Sequence, residues 1–389
     1  MTDHTPTPAR ETTRTPLQQL DDRREWRQQQ WERRNRSAAW LIEQARREAA
    51  STGAAFVKPP RPARCGWPLG RPAIQLVDGK ASITGLEHCA SPWCCPVCAA
   101  IIRGRRARDL QHAADVWVDA GHGLLFATLT RPHGKRERLE TGMDTITGSW
   151  ADIMKSQRWR TLRATYGITH WVRGMEITWS PRNGWHCHLH LLIFTDRPAT
   201  DRSAKTLQAD LLDLWNDQLV RHGSRPAGKR HGVRVLPVGD APGRVGAYMA
   251  KTPESIGSEI TRMDNKTGRK EGSIGSFQLL DQPVIDRLGR HTARRLWLEY
   301  VRATRGQKSI TWSRRLRADL LGTPEQTDRQ IIDDTAKGNH VIDIAADTYR
   351  SLKKQPSLLG FILSRIETGE VPVAIDVMSS VTDHPRALC

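Results

Sequence analysis

No run of about 18 apolar residues occurs anywhere in the 389-residue chain, so the sequence offers no helix that could cross a bilayer. Residues 1–17 are polar and lack the apolar core of a secretory leader, which sets a cytoplasmic location as the expectation. Apolar residues make up only 38% and mean hydropathy is -0.57, so substantial parts should be exposed or poorly ordered. The Gly-x-x-x-x-Gly-Lys-Ser/Thr loop is missing, which leaves helicase activity without support. Tyrosine is scarce, with four in all. Acidic residues are outnumbered, 42 against 60 Lys and Arg, and the net charge is +18 with a pI near 10.1. That balance favours a polyanionic partner, nucleic acid before an anionic membrane surface.

Five segments follow from composition. Residues 1–60 read as a disordered and charged-helical extension: 1–20 are rich in Thr, Pro and charge, and Asp21–Ala50 lacks Gly and Pro. Residues 61–103 hold most cysteines, and 104–260 read as an α+β domain. Residues 261–322 are basic and helical, and 323–389 form a small helical module. Within 104–260 a strand at Gly121–Thr130, a helix at Met143–Tyr166, a strand near Trp171–Trp179 and a histidine-rich strand follow one another. Asn183-Gly184 between the last two marks a hairpin. A helix at Ala204–Val220, a strand at Val233–Pro237 and a helix from near Gly243 complete the order. This β-α-β-β-α-β-α order predicts an antiparallel sheet covered by helices.

Five of the seven cysteines lie between Cys65 and Cys98. In a basic chain without a leader this clustering points to metal rather than disulfides. Cys95-Pro96-Val97-Cys98 is a knuckle that lets two thiolates share one tetrahedral zinc. Cys65 and Cys89 complete the simplest four-thiol site, with His88 and Cys94 as competing ligands. Four protein ligands leave no open position, so the role is structural. Trp67 and Trp93 beside it could stack on bases, although packing around the zinc is the commoner use.

On a strand, His186, His188 and His190 share one face, backed by Trp185, Cys187, Leu189 and Leu191 on the other. Imidazoles held this way suit a divalent metal. Glu176, across the hairpin, could reach the same ion, and two imidazoles with one carboxylate suit Mn²⁺ or Mg²⁺ beside a phosphate. Arg244, Tyr248 and Lys251 line one face of the helix predicted near Gly243. Tyr248 is the tyrosine with cations placed to activate its phenol as a nucleophile on phosphorus.

Phe126-Ala127-Thr128-Leu129-Thr130, then His188-Leu189-His190, then Tyr248-x-x-Lys251 resemble the three-motif series of HUH endonucleases. The match is best to rolling-circle replication initiators of plasmids and integrative elements. The Cys95–Cys98 knuckle, Trp297-Leu-Glu-Tyr300 and Ile310-Thr-Trp-Ser313 resemble the versions in high-GC Gram-positive bacteria, and the similarity covers about residues 60–320. The resemblance implies an HUH sheet, with a catalytic metal on His188, His190 and Glu176 and His186 beside them. Tyr248 would then form a 5′-phosphotyrosine link and leave a 3′-OH primer, with Lys251 supporting the phosphate or the phenol. Origin DNA and single-stranded DNA become the expected partners, with host helicase, polymerase and single-strand-binding protein acting in trans. Where some related initiators carry a glutamate one turn before the tyrosine, this chain has Arg244. Arg103, Arg105, Arg106, Arg108 and Arg244 are the first candidates for phosphate contacts. Further basic clusters lie at Lys229-Arg230, Arg294-Arg295 and Arg314–Arg317. Two other readings compete: a relaxase or transposase using the same chemistry for DNA transfer, and a zinc-containing DNA-binding regulator without catalysis.

Overall fold

A computed structural model describes residues 16–55, 58–238, 272–335 and 337–383. The chain divides into two compact units. The smaller comprises Met1–Asn35, Cys65–Glu87 and Ala336–Cys389, and the larger comprises Arg36–Arg64 and His88–Thr335. This division cuts through the predicted cysteine segment between Glu87 and His88. Basic and acidic residues nearly balance in the smaller unit, so almost all of the +18 rests on the larger. Among the described residues no helix is long and apolar enough to cross a membrane. The expected N-terminal helix runs over Pro16–Thr52, in a stretch without an internal helix breaker.

In the smaller unit β1 (Pro68–Val77) and β2 (Lys80–Leu86) pair antiparallel around Asp78-Gly79. Both turn residues have positive φ, 48° and 70°, as a two-residue hairpin turn requires. A strand at Asn339–Asp343 joins β1 from the other side, where only helices were predicted. Helices Ala346–Lys353, Pro356–Glu367 and Val371–Asp383 close this unit over Ile74, Tyr349, Leu359 and Ile362.

The larger unit is built on an antiparallel sheet in the order β6-β3-β5-β4-β7, with β8 also paired to β4. Its strands are β3 (Gly123–Thr130), β4 (Ile168–Ser180), β5 (Gly184–Thr195), β6 (Val233–Val238), β7 (Ile274–Gly275) and β8 (Ile310–Trp312). Up to β6 the order read from the sequence holds; the helix expected from near Gly243 lies outside the described residues. The single helix expected over Met143–Tyr166 is two, Leu139–Lys155 and Gln157–Tyr166. Ser156 turns extended (φ -73°, ψ 148°) and its hydroxyl accepts the Trp159 N–H at 3.1 Å, capping the second helix. One face of the sheet packs on helix Leu139–Lys155, where Trp150 meets Trp171 edge-on. On the other face Trp117, from helix Pro96–Asp119, meets Phe194 and His170 at one end of the strands.

The β4–β5 hairpin sets the site. Ser180 pairs with Gly184, leaving a three-residue loop, residues 181–183, at the hairpin that Asn183-Gly184 marks. Gly184 sits at φ 77°, and a Cβ there would stand 2.5 Å from the Lys135 carbonyl oxygen. Gly184→Ala is therefore expected to cost about 2 kcal/mol, from left-handed backbone and the contact together. Urea unfolding reads the effect. An unchanged midpoint would show that the 132–137 loop simply moves aside.

Candidate metal centre

Strand register builds the first site. His188 lies opposite Glu176 on β4 and Thr130 on β3, and His190 lies opposite Gly174 and Thr128. Period two then puts Glu176, His188 and His190 on one face of adjacent strands. The Nε2 atoms of both histidines meet one carboxylate oxygen: Glu176 Oε2 is 3.1 Å from His188 and 2.9 Å from His190. All three side chains are buried. Burial alone would raise the Glu176 carboxyl, but the His188 charge and hydrogen bonds from His188 and His190 hold it well below the usual carboxylate range.

This donor set fits a hard divalent cation. Two ligands in neighbouring octahedral positions, each about 2.1 Å from the ion, stand about 3.0 Å apart. The observed separations of 2.9 and 3.1 Å match that spacing. The outer nitrogens differ. His190 Nδ1 lies 3.2 Å from the Thr128 hydroxyl, which orients the ring and directs Nε2 inward. His188 Nδ1 is buried without a hydrogen-bond partner among the described residues. The sequence shows Thr128 only as part of the Phe126–Thr130 stretch; its partner follows from the β3–β5 register.

His186 does not join the three-residue group. It sits one pair further along, opposite Thr178, with its ring between those of His133 and His188 at centroid distances of 5.0 Å each. His133 carries no sequence signal that would place it here. Cys187 faces the other way, and burial pushes its thiol up to about 12, which keeps it an unreactive core group.

The second site is the thiol cluster. In the larger unit the sulfurs of Cys89, Cys95 and Cys98 lie within 4.8 Å of one another, and all three residues are buried; Cys65, the fourth thiol expected, belongs to the smaller unit. Cys89 and Cys98 Sγ are 3.8 Å apart. A disulfide would need about 2.05 Å, whereas tetrahedral zinc with bonds of about 2.3 Å gives edges of about 3.8 Å. Helix Pro96–Asp119 begins inside the knuckle and carries the basic stretch Arg103–Arg108. Cys95 is its N-cap and accepts the Cys98 N–H at 3.5 Å, and Pro96 opens the first turn. Thiolates at a helix N-terminus are favoured by its dipole. His88 Nδ1 approaches Cys98 Sγ at 3.9 Å but is outside the group, as is Cys94, which packs in the core. Trp93 is buried and donates its indole N–H to the Gln307 carbonyl, so its face serves packing.

The candidate DNA-binding arginines separate by burial. Arg103 is buried, bonds the Pro92 carbonyl at 2.7 Å and lies over the Phe277 ring. Arg106 is buried against Glu325 and Asp328 at 3.0 and 2.9 Å. Both guanidiniums are spent on the protein's own groups, which corrects their place among the phosphate contacts. Arg105 and Arg108 are exposed. Arg294 and Arg317 are likewise paired internally, with Glu43 and Asp109. Tyr248, Lys251 and Arg244 lie outside the described residues.

Residues 80–220 match the family model described as replication protein. The chain is 30% identical over 308 residues to "Protein rep" of Streptomyces lividans, covering 64% of this chain and 66% of that one. It is 26% identical over 176 residues to a "Neomycin resistance protein" of Streptomyces cyanogenus, covering 37% and 40%. The chain thus spans just under two thirds of the first relative and two fifths of the second. No solved structure matches it. The matched residues contain β3, β4 and β5, so the segment 80–220 carries a domain of the replication-protein (Rep) family, and the chain is similar beyond it to the Streptomyces lividans protein.

Proposed function

We propose that this protein is a rolling-circle replication initiator of the HUH endonuclease type, serving a plasmid or other mobile element. On this reading it nicks and rejoins one DNA strand at an origin. The observation that carries the reading is the convergence of His188 and His190 Nε2 on a single Glu176 oxygen inside the replication-protein domain. Those three residues would hold Mn²⁺ or Mg²⁺, which when bound supplies Lewis-acid polarisation of a phosphoryl oxygen. Thr128 keeps the His190 ring oriented. Tyr248 is the nucleophile: its phenolic oxygen bonds to phosphorus as the P–O3′ bond breaks. The phenol gives up its proton and the 3′ oxygen leaves as a hydroxyl, ready to prime a host polymerase. Lys251, three residues after Tyr248 in the sequence, supports the phosphate or the phenol. Cys65, Cys89, Cys95 and Cys98 hold a structural zinc. Host helicase and single-strand-binding protein complete the reaction in trans.

The test is a cleavage assay on single-stranded DNA carrying the candidate origin. Wild type with Mn²⁺ is expected to give a covalent protein–DNA adduct. Tyr248→Phe should lower adduct formation by a factor on the order of 10³ or more, and EDTA should do the same. Tight origin binding with no adduct, across several metals, would sink the nuclease and leave a DNA-binding regulator.

A further inference from the structure

The sheet brings three loops to the end that holds Glu176, His188 and His190. They follow β3 (residues 131–138), join β4 to β5 (181–183), and precede β6 (222–232). Together they expose Lys135, Arg136, Arg182, Arg225, Lys229 and Arg230. Glu137 is the one carboxylate in these three loops, and Arg131 already binds both of its oxygens. The rim is therefore of single sign.

The rim is also held in place. Glu137 N–H bonds the Gly134 carbonyl at 3.0 Å, and Gly184 packs under Lys135. Asn216 clamps Ala227 through both its amide groups, at 2.7 and 3.1 Å. Thr130, the residue opposite His188, takes the Gly232 carbonyl at 2.8 Å. Between the first and third loops lies a cavity of about 210 Å³ lined by His133, Thr145, His222, Ser224 and Arg225. From it a file of imidazoles leads to the metal centre: His133, His186, His188 and His190, with successive centroids 5.0, 5.0 and 4.6 Å apart.

We propose that this rim, and not the helix Pro96–Asp119, is the track for the single-stranded DNA flanking the cleaved phosphate. Its cations take successive phosphates, and the half-exposed His133 ring, backed by His186, stacks on the base next to the metal centre. Pre-ordered loops suit this role, because cations already in position lose little freedom when the strand arrives. A flexible strand also needs stacking surfaces as well as charge, which the imidazole file supplies. The placement rests on the endonuclease reading above, but binding can be measured apart from cleavage.

The probe is a fluorescent oligo-dT 15-mer, titrated by anisotropy in EDTA over a range of salt. A variant combining Lys135→Ala, Arg136→Ala, Arg225→Ala and Lys229→Ala should flatten the log K against log salt slope by about 3. Binding to it should be at least about tenfold weaker at fixed salt. His133→Ala should lose on the order of 5- to 10-fold, and His133→Phe should recover most of it. A smaller-unit control, Arg350→Ala with Lys354→Ala, should keep the wild-type slope. All variants should bind Mn²⁺ like wild type. Wild-type slope and affinity in the rim variant, or an equal loss in the control, overturns the proposal. Wild type that binds through the rim but never cleaves refutes the nuclease and leaves the track standing.

Discussion

Alanine at His188 or His190 is expected to abolish Mn²⁺ binding and, with it, strand cleavage, each by a factor on the order of 10³. The reason is geometric. Each Nε2 already stands about an octahedral edge from one carboxylate oxygen, and among the described residues no further side chain joins the group to take over a missing position. Titration calorimetry in wild type and variants reads the metal directly. Mn²⁺ at 100 times its dissociation constant should stabilise wild type by about 2.7 kcal/mol against unfolding, and the alanine variants not at all. Removing a histidine also leaves a buried carboxylate short of a partner. His188→Gln, which keeps a donor toward Glu176, separates loss of metal from loss of fold. Thr128→Val should weaken metal binding about 10- to 100-fold, while Thr128→Ser, which retains the hydroxyl, should not. Full Mn²⁺ affinity in His190→Ala would move the centre elsewhere.

Cys98→Ser should cost the protein one equivalent of zinc and lower its unfolding midpoint by about 10 °C or more, because structural zinc binding in small peptides contributes about 10–16 kcal/mol. The larger unit's part is compact enough for this: the buried thiols of Cys89, Cys95 and Cys98 lie within 4.8 Å, with Cys89 and Cys98 at a tetrahedral edge of 3.8 Å. Cys94→Ser is the control and should keep its zinc, since Cys94 packs among core residues outside the group. Elemental analysis with thermal unfolding decides. Wild-type protein purified without chelator and found free of zinc would overturn the assignment, as would equal zinc loss from Cys94→Ser.

The Glu176–His188–His190 group was legible in the sequence because its residues are local. Period two set His188 and His190 on one face, and the hairpin signal brought Glu176 across from them. The knuckle at Cys95–Cys98, with Cys65 and Cys89, made the expected four-thiol site, and in the larger unit Cys89, Cys95 and Cys98 converge without His88 or Cys94. Failure came where side chains depend on distant partners. Arg103 and Arg106 read as a basic stretch, but Arg106 meets acids more than two hundred positions later. The strand at Asn339–Asp343 was missed for a similar reason, since its partner β1 lies far upstream. Thr128 and His133 became visible only through pairing of β3 with β5 and the stack on His186. The break at Ser156 shows a different limit: one capping hydroxyl outweighed a helical pattern on both sides.

The whole candidate metal centre resides in one hairpin. Glu176 and His188 are 12 residues apart, Glu176 and His190 are 14, and the connecting turn is three residues long. Closing such a short loop costs little chain entropy, so contacts of this kind form ahead of those between remote segments. By contrast β6 reaches β3 from about a hundred positions away. The ligand geometry is thus written into a self-contained stretch of chain, while two of the three loops that would meet DNA, 131–138 and 222–232, hang from longer-range pairings. Insertions or substitutions in those loops can redirect which DNA is held while leaving the ion's ligands where they are.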